Sequence, residues 1–172
     1  MFPDHGRKPN RLKEYDYSED GFYFITICAK NRIECFGDIK NGEMVLNKYG
    51  QVAEKQWQWL AGQYSYVKLD EFIIMPNHVH GIVVIDSPNA VGTGRDLSLH
   101  INIKLLSDLM GAFKTTSSKL IHQSGFSDFS WQRSFYDRII YNEQSLMKIR
   151  EYIRNNPLKW ELDRNNSENL FI

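Results

Sequence analysis

The sequence predicts an α+β domain in which helices pack on a mainly antiparallel sheet. β-branched and aromatic residues are concentrated in four stretches: Phe22–Lys30, Tyr66–Ile74, His78–Ile85 and Phe129–Tyr141. Apolar residues recur at helical spacing in three others: Tyr49–Leu60, Asp108–Gln123 and Glu143–Asn155. With one short hairpin, the order is strand, hairpin, helix, strand, strand, helix, strand, helix. This order predicts a layered fold, closest to a ferredoxin-like variant.

The first half of the chain carries clear turn and cap signals. Residues 1–20 are polar and are expected to form a flexible basic arm. Asn41-Gly42 predicts the turn of a hairpin within Glu34–Asn47. Asn47 is then expected to cap the first helix, because its side chain can accept from free backbone amides. The Met75–Asn77 turn joins two long strands as an antiparallel pair.

The second half begins with residues 86–104, the longest stretch without predicted structure and therefore an expected mobile loop. Ser107 is expected to cap the second helix and Asn142 the third, while Pro157 stops the third. Residues 21–160 are thus predicted to form a single domain, followed by a tail at 161–172.

The composition is that of one globular domain. The chain has 172 residues, of which 42% are hydrophobic and 24% charged. No apolar run approaches the roughly 20 residues that a membrane helix needs, and the N-terminal residues lack the apolar core of a signal peptide. We therefore expect a cytoplasmic protein without a membrane partner, with Cys28 and Cys35 as reduced structural thiols.

Charge is neutral overall but unevenly distributed. A net charge of zero argues against a general nucleic-acid binder. Residues 132–159, however, contain six basic and three acidic side chains, a local net charge of +3. This predicts either a solvated helix face or a surface that holds phosphates.

A His-x-His pair lies at the start of a predicted strand. Side chains two residues apart in a strand point to the same face, so His78 and His80 are expected to lie side by side. Such a pair can bind one metal ion, although a bare His-x-His is more often structural. The Pro76-Asn77 turn before it would place the pair near a rim that a substrate can reach.

Tyr152 and Asn156 are four residues apart on the last predicted helix and therefore share a face. Taken alone, they indicate a boundary tyrosine and a capping asparagine. Together with the histidines they suggest chemistry, because two imidazoles and an amide oxygen can hold a divalent ion beside a nucleophilic hydroxyl. A tyrosine pKa of about 10 makes the phenolate cost about 4 kcal/mol at neutral pH, which a nearby cation offsets. This combination favours phosphoryl transfer.

Four motifs in this order resemble those of the single-tyrosine HUH transposases, in particular the REP-associated tyrosine transposases and the single-strand insertion-sequence transposases. The motifs are MPNHVHGIVVI, GAFK, WQRSFYDRII and IREYIRNNPLKW. The resemblance spans residues 21–160, and it implies the HUH endonuclease fold for that domain. It also implies that the domain cleaves and rejoins single-stranded, hairpin-containing DNA through a 5′-phosphotyrosine intermediate.

The resemblance assigns roles to individual residues. His78 and His80 match the metal-binding pair, and Tyr152 matches the nucleophile. Asn156 falls where the family places a third polar metal ligand, often glutamine. The implied metal is Mg²⁺ or Mn²⁺, since an amide ligand and a phosphate substrate favour hard ions.

The implied partner is single-stranded or hairpin DNA, whose bases stack on aromatic rings while basic side chains follow its backbone. The candidate DNA-binding residues, chosen by position, are Arg11, Arg32, Lys114, Arg133, Arg138 and Arg154. Relatives of this kind include monomers and homodimers, and both remain open.

Two other functions remain open, as does a second nucleophile. The protein could bind DNA hairpins without cutting them, as a protein derived from a transposase. It could instead be a zinc hydrolase that uses His78 and His80, with Tyr152 structural. Tyr136 is a rival nucleophile, although it lacks the helical partner that Tyr152 has in Asn156.

Overall fold

A computed structural model describes residues 18–87 and 103–162, with the backbone alone for 161 and 162. Its strands are β1 (Gly21–Cys28), β2 (Gly37–Lys40), β3 (Glu43–Leu46), β4 (Val67–Ile74), β5 (His78–Ile85) and β6 (Tyr136–Ile140). Its helices are α1 (Lys48–Gln63), α2 (Leu106–Gln123) and α3 (Glu143–Arg154). Two short 3₁₀ segments span Lys30–Arg32 and Pro157–Leu162.

Four strands form an antiparallel sheet in the order β4–β5–β1–β6, and β2 pairs with β3 in a separate hairpin. The predicted α+β class with a mainly antiparallel sheet is thereby confirmed. The Asn41-Gly42 turn is also confirmed, since both residues have the positive φ angles of a tight hairpin turn, 54° and 76°.

Each face of the sheet is covered by helices. One face packs against α1 and α2 in the larger core, which includes Tyr23, Trp57 and Phe113. The other face packs against α3, where Phe24 and Ile82 meet Ile153 in a smaller core. Alternation along each strand assigns even-numbered residues of β1 and β5 to the α3 face.

Two of the three predicted helix caps are confirmed. Asn47 Oδ1 accepts from the amides of Tyr49 and Gly50, and Asn142 Oδ1 accepts from the amide of Ser145. The prediction for Ser107 is wrong. The helix α2 begins at Leu106 with Leu105 as an N-cap that has no side-chain hydrogen bond, because the fully buried Leu106 extends the apolar stripe by one residue.

The last strand is shorter than the predicted Phe129–Tyr141. Trp131 makes a single bridge to Ala29, and the chain returns to the sheet only at Tyr136. The intervening carbonyls of residues 132–134 accept from the Lys114 ammonium instead of from a neighbouring strand. This segment is therefore held by the aromatic packing of Trp131 and by the Lys114 ammonium, and not by continuous strand pairing.

Several predictions fall on other parts of the chain. Most of the predicted arm (1–17), of the predicted loop (88–102) and of the tail (163–172) lies outside the described residues, and Arg11 lies there too. No disulfide joins Cys28 and Cys35, and burial raises the pKa of the Cys35 thiol to about 12. None of the described helices has both the length and the apolar character that crossing a membrane requires.

Candidate active site

The two histidines lie side by side on the α3 face of the sheet. His78 is paired across β1 with Cys28, and His80 with Thr26. Their ring centroids are 4.3 Å apart, and both side chains are almost fully buried. The predicted juxtaposition is therefore present, at the edge where β5 begins.

Tyr152 meets this pair from α3. Its hydroxyl oxygen lies 3.2 Å from Nε2 of His80, and the two ring centroids are 5.2 Å apart. Phe24 packs against both rings, at centroid distances of 5.4 Å to His80 and 6.0 Å to Tyr152. Tyr152 is 39% exposed, so this residue borders solvent, whereas both histidines are buried.

Each imidazole has a polar neighbour at its Nδ1 atom. Thr26 Oγ1 lies 2.9 Å from Nδ1 of His80, and Asn77 Oδ1 lies 2.8 Å from Nδ1 of His78. In metal sites built from histidine, such neighbours fix the orientation of the ring and direct the remaining nitrogen to the metal. Both Nε2 atoms are therefore the candidate metal-facing atoms.

Asn156 lies where α3 gives way to the 3₁₀ segment. Its backbone amide donates to the backbone carbonyl of Ile153, and its backbone carbonyl accepts from the backbone amide of Lys159. Trp160 then stacks on His78 at a centroid distance of 5.9 Å, so this segment folds back over the histidines. Asn156 is 2% exposed, and its Oδ1 has no hydrogen-bond partner among the described residues.

A buried amide oxygen without a donor fits the role of a ligand to a hard divalent ion. The described residues contain no cluster of three or more His, Cys, Asp or Glu side chains that could hold a metal. Among the described residues, a site that uses His78 and His80 would take its third protein ligand from another type of donor. Asn156 offers one of the required chemistry.

Ion pairs attach α3 to the edge strand β4. The register of β4 shifts between Leu69 and Phe72, and the irregularity turns Asp70 and Glu71 towards the helix. Arg150 donates to both carboxylate oxygens of Asp70, at 2.8 and 2.7 Å, and Arg154 pairs with Glu71. The Arg150 hydrogen bonds lower the pKa of Asp70.

The candidate DNA-binding residues are dispersed. Arg133 and Arg138 are exposed, whereas Arg154 is already paired with Glu71. The ammonium of Lys114 donates to three backbone carbonyls, which argues against a phosphate contact. Arg32 is half-buried in a turn with a positive φ of 53°.

Tyr136 shares the face of the histidines, on a strand that is not adjacent to theirs. It pairs with Thr26 on β1, which in turn pairs with His80 on β5. Two strand spacings, about 10 Å, therefore separate the backbones of Tyr136 and His80. The structure places the Tyr152 hydroxyl within hydrogen-bonding distance of His80, at 3.2 Å from Nε2.

Four residues of the site were not predicted from the sequence: Phe24, Thr26, Asn77 and Trp160. The alternation of β1 could assign Phe24 and Thr26 to one face, but not to the neighbourhood of His80. Asn77 lies in the turn before His78, where an asparagine predicts a turn and not a contact with the histidine ring.

Comparisons with known proteins identify a relative of the chain and a solved structure with a similar fold. No protein-family model matches the chain. An uncharacterized protein of Haemophilus influenzae is 36% identical over 167 residues, which cover 93% of each chain.

Among solved structures, a REP-associated tyrosine transposase bound to a REP hairpin is 19% identical. The match covers 87% of this chain and 73% of that one, with a TM-score of 0.58. A transposase-like protein of Deinococcus radiodurans R1, 16% identical, covers 84% and 97% with a TM-score of 0.48, too low to argue from. The chain belongs to one family with the Haemophilus influenzae protein, and it has the fold of the solved REP-associated tyrosine transposase.

Proposed function

We propose that this chain is a DNA transposase that cuts and rejoins single-stranded DNA next to hairpins, with Tyr152 as the nucleophile. The observation that carries the proposal is the position of the Tyr152 hydroxyl, 3.2 Å from Nε2 of His80 and beside the histidine pair. The tyrosine transposase that shares this fold is bound to a REP hairpin, which supports the choice of substrate.

The reaction is a phosphoryl transfer to and from tyrosine. Tyr152 Oη attacks the scissile phosphorus while the bond from phosphorus to the 3′-oxygen breaks. The tyrosine proton leaves to solvent, which the half-exposed side chain can reach, and the departing 3′-oxygen takes up a proton to become a hydroxyl. In the rejoining step another 3′-hydroxyl attacks the 5′-phosphotyrosine and releases Tyr152.

His78, His80 and the amide oxygen of Asn156 are the residues that would hold a divalent ion, Mg²⁺ or Mn²⁺. When bound, such an ion supplies positive charge that stabilises the phenolate and the charge developing on the phosphate. Burial of both imidazoles and of Asn156 keeps these donors fixed, whereas Tyr152 remains accessible. Phe24 holds His80 and Tyr152 together through ring contacts.

The DNA path is proposed to cross β6. Tyr136 and Arg138 are exposed and pair with Thr26 and Phe24, so both lie on the face that carries the histidines. Their spacing offers a ring for stacking and a guanidinium for the backbone. Arg133, also exposed, precedes this strand and can extend the contact.

The site is proposed to work within one chain. Tyr152 already contacts His80 of its own chain, so a partner subunit is not needed to supply the nucleophile. A monomer is therefore sufficient for cleavage in this arrangement.

Hairpin oligonucleotides with randomised single-stranded flanks test the proposal. The full chain is incubated with them in Mg²⁺ or Mn²⁺, and covalent protein–DNA adducts are resolved under denaturing conditions. We expect an adduct that EDTA, Tyr152→Phe and His80→Ala each abolish and that Tyr136→Phe, the matched control, leaves intact.

Other outcomes favour other functions. Shifted but uncut DNA with the unmodified chain would indicate a hairpin-binding protein. No affinity for DNA together with tight Zn²⁺ binding would indicate a hydrolase.

A further inference from the structure

We infer that Asn77 is a positioning residue that fixes the tautomer of His78, so that its Nε2 presents a lone pair to the metal. The inference rests on the proposed function only in taking the metal as the ligand of that nitrogen. Asn77 is fully buried, directly before β5, and its amide connects His78 to the turn that follows β1.

The two ends of the Asn77 amide have different partners. Its Nδ2 donates to the backbone carbonyl of Arg32 at 3.0 Å. Its Oδ1 lies 2.8 Å from Nδ1 of His78. The backbone is held as well, because the Asn77 carbonyl accepts from the amide of Ala29 at 2.8 Å.

The Arg32 carbonyl decides which way the amide faces. A backbone carbonyl can only accept, so the amide nitrogen of Asn77 must face it. The opposite orientation would put two acceptor oxygens against each other at the same distance and lose the hydrogen bond. Oδ1 is therefore the atom next to His78.

This orientation decides the state of the neutral imidazole. An amide oxygen can only accept, so Nδ1 of His78 must carry the hydrogen that it receives. In a neutral ring the other nitrogen, Nε2, then carries the lone pair and is the one that can ligate. Free imidazole side chains in water favour the opposite form, so the protein has to impose this one.

The turn that presents the Arg32 carbonyl has an uncommon backbone. Asn31 and Arg32 have φ angles of 57° and 53°, in the left-handed region that non-glycine residues seldom occupy. Such conformations persist where surrounding contacts fix them. Here the turn ends with a carbonyl directed at the one amide that orients His78.

The corresponding contact of His80 is less decisive. Thr26 Oγ1 lies 2.9 Å from Nδ1 of His80, but a hydroxyl can either donate or accept. The fixed tautomer is therefore specific to His78, and Asn77 is the residue to change.

Two variants separate positioning from simple anchoring. Asn77→Leu and Asn77→Asp both keep the branched shape and the number of heavy atoms of asparagine, and both lose the amide donor to the Arg32 carbonyl. Only Asn77→Asp keeps an acceptor for Nδ1 of His78. A purely structural role of the Arg32 contact would affect both variants equally.

The first readout is ¹⁵N NMR of the histidine rings in the metal-free, full-length chain at mildly alkaline pH. We expect His78 in the Nδ1–H form in the unmodified chain and in Asn77→Asp, and a shift towards the Nε2–H form in Asn77→Leu. An Nε2–H form in the unmodified chain would overturn the inference, and this test does not depend on any variant folding.

The second readout is Mn²⁺ affinity by calorimetry without DNA. Loss of a hydrogen-bond partner of a metal-binding histidine commonly weakens metal binding by about tenfold to a hundredfold. We expect that loss in Asn77→Leu and a substantially smaller one in Asn77→Asp. Equal losses would reduce Asn77 to an anchor of the turn and overturn the inference. Failure of the unmodified chain to form a DNA adduct, with the expected tautomer and Mn²⁺ binding, would count against the proposed function alone.

Discussion

The hydroxyl of Tyr152 and Nε2 of His80 form a 3.2 Å contact through the nitrogen that we propose faces the metal. A ring nitrogen that ligates a metal ion cannot also share a hydrogen bond with the tyrosine hydroxyl, whichever of the two groups donates in the metal-free chain. A metal ion bound to His80 would therefore compete with the Tyr152 hydroxyl for this nitrogen. This relationship leads to a prediction about metal affinity without DNA.

Replacing Tyr152 should strengthen metal binding. Tyr152→Phe removes the competing hydrogen bond, which contributes a net free energy of about 0.5–1.5 kcal/mol. Its loss should therefore make Mn²⁺ binding roughly twofold to tenfold tighter. Calorimetry without DNA measures it, with Tyr136→Phe as the matched control that should not change. Weaker binding in Tyr152→Phe would instead make the tyrosine oxygen itself a ligand.

The attachment of α3 to β4 should depend on pH. Arg150 lowers the pKa of Asp70 from its ordinary value of 3.8, so the pair stabilises the fold fully above that value. The stabilisation is lost as the pH falls through the lowered pKa. Asp70→Asn should therefore reduce the free energy of unfolding by about 1–2 kcal/mol at neutral pH and by less in strong acid.

Urea unfolding at the two pH values measures this difference. Glu71→Gln is the control, since its partner Arg154 is more exposed and the loss should be smaller. A deficit of Asp70→Asn that stayed constant into strong acid would exclude the ionised pair as its cause.

Glycine is required at position 81 for steric reasons. A Cβ there would lie 2.4 Å from the ring of the fully buried Trp57, so Gly81→Ala should destabilise the fold by about 1–3 kcal/mol.

Gly111, in α2, is the control, because a Cβ at that position would meet nothing within 4 Å in the described part of the chain beyond its own helix. Gly111→Ala should stabilise by up to about 1 kcal/mol. Thermal and urea unfolding compare the two, and equal effects would refute the steric explanation.

DNA binding should depend on salt through Arg138. Its guanidinium is exposed on the face of the histidines, so Arg138→Gln should weaken hairpin binding and lower the slope of log affinity against log salt by about 1. Fluorescence anisotropy over a salt series measures both. Lys114→Gln is the contrast, because its ammonium binds backbone carbonyls and its loss should affect folding more than the slope. An unchanged slope in Arg138→Gln would remove β6 from the DNA path.

Local chemistry explains which predictions succeeded. Asn47 and Asn142 cap helices by accepting from backbone amides two or three residues away. Asn41 and Gly42 form a turn through their own backbone angles. Each of these structures depends on only a few neighbouring residues, so the local sequence is sufficient to predict it. The alternation of side chains along β5 likewise places His78 and His80 on one face of the sheet, independently of how the rest of the chain packs.

Long-range packing explains the rest. The start of α2 is set by burial of Leu106, and the carbonyls before β6 are taken by Lys114, a residue from a different element. Asn77 meets the Arg32 carbonyl 45 residues away in the chain. No local sequence pattern specifies contacts between residues so far apart in the chain. The contacts of Thr26 and Asn77 with the histidine rings are therefore known only from the structure.

The central claim is that Tyr152 becomes covalently attached to DNA, and peptide mapping tests it most directly. The adduct formed with hairpin DNA in Mn²⁺ is digested with nuclease and protease, and the nucleotide-bearing peptide is identified by mass spectrometry. We predict a nucleotide on Tyr152, linked through its 5′-phosphate. A nucleotide on Tyr136, or on any other residue, would contradict the account.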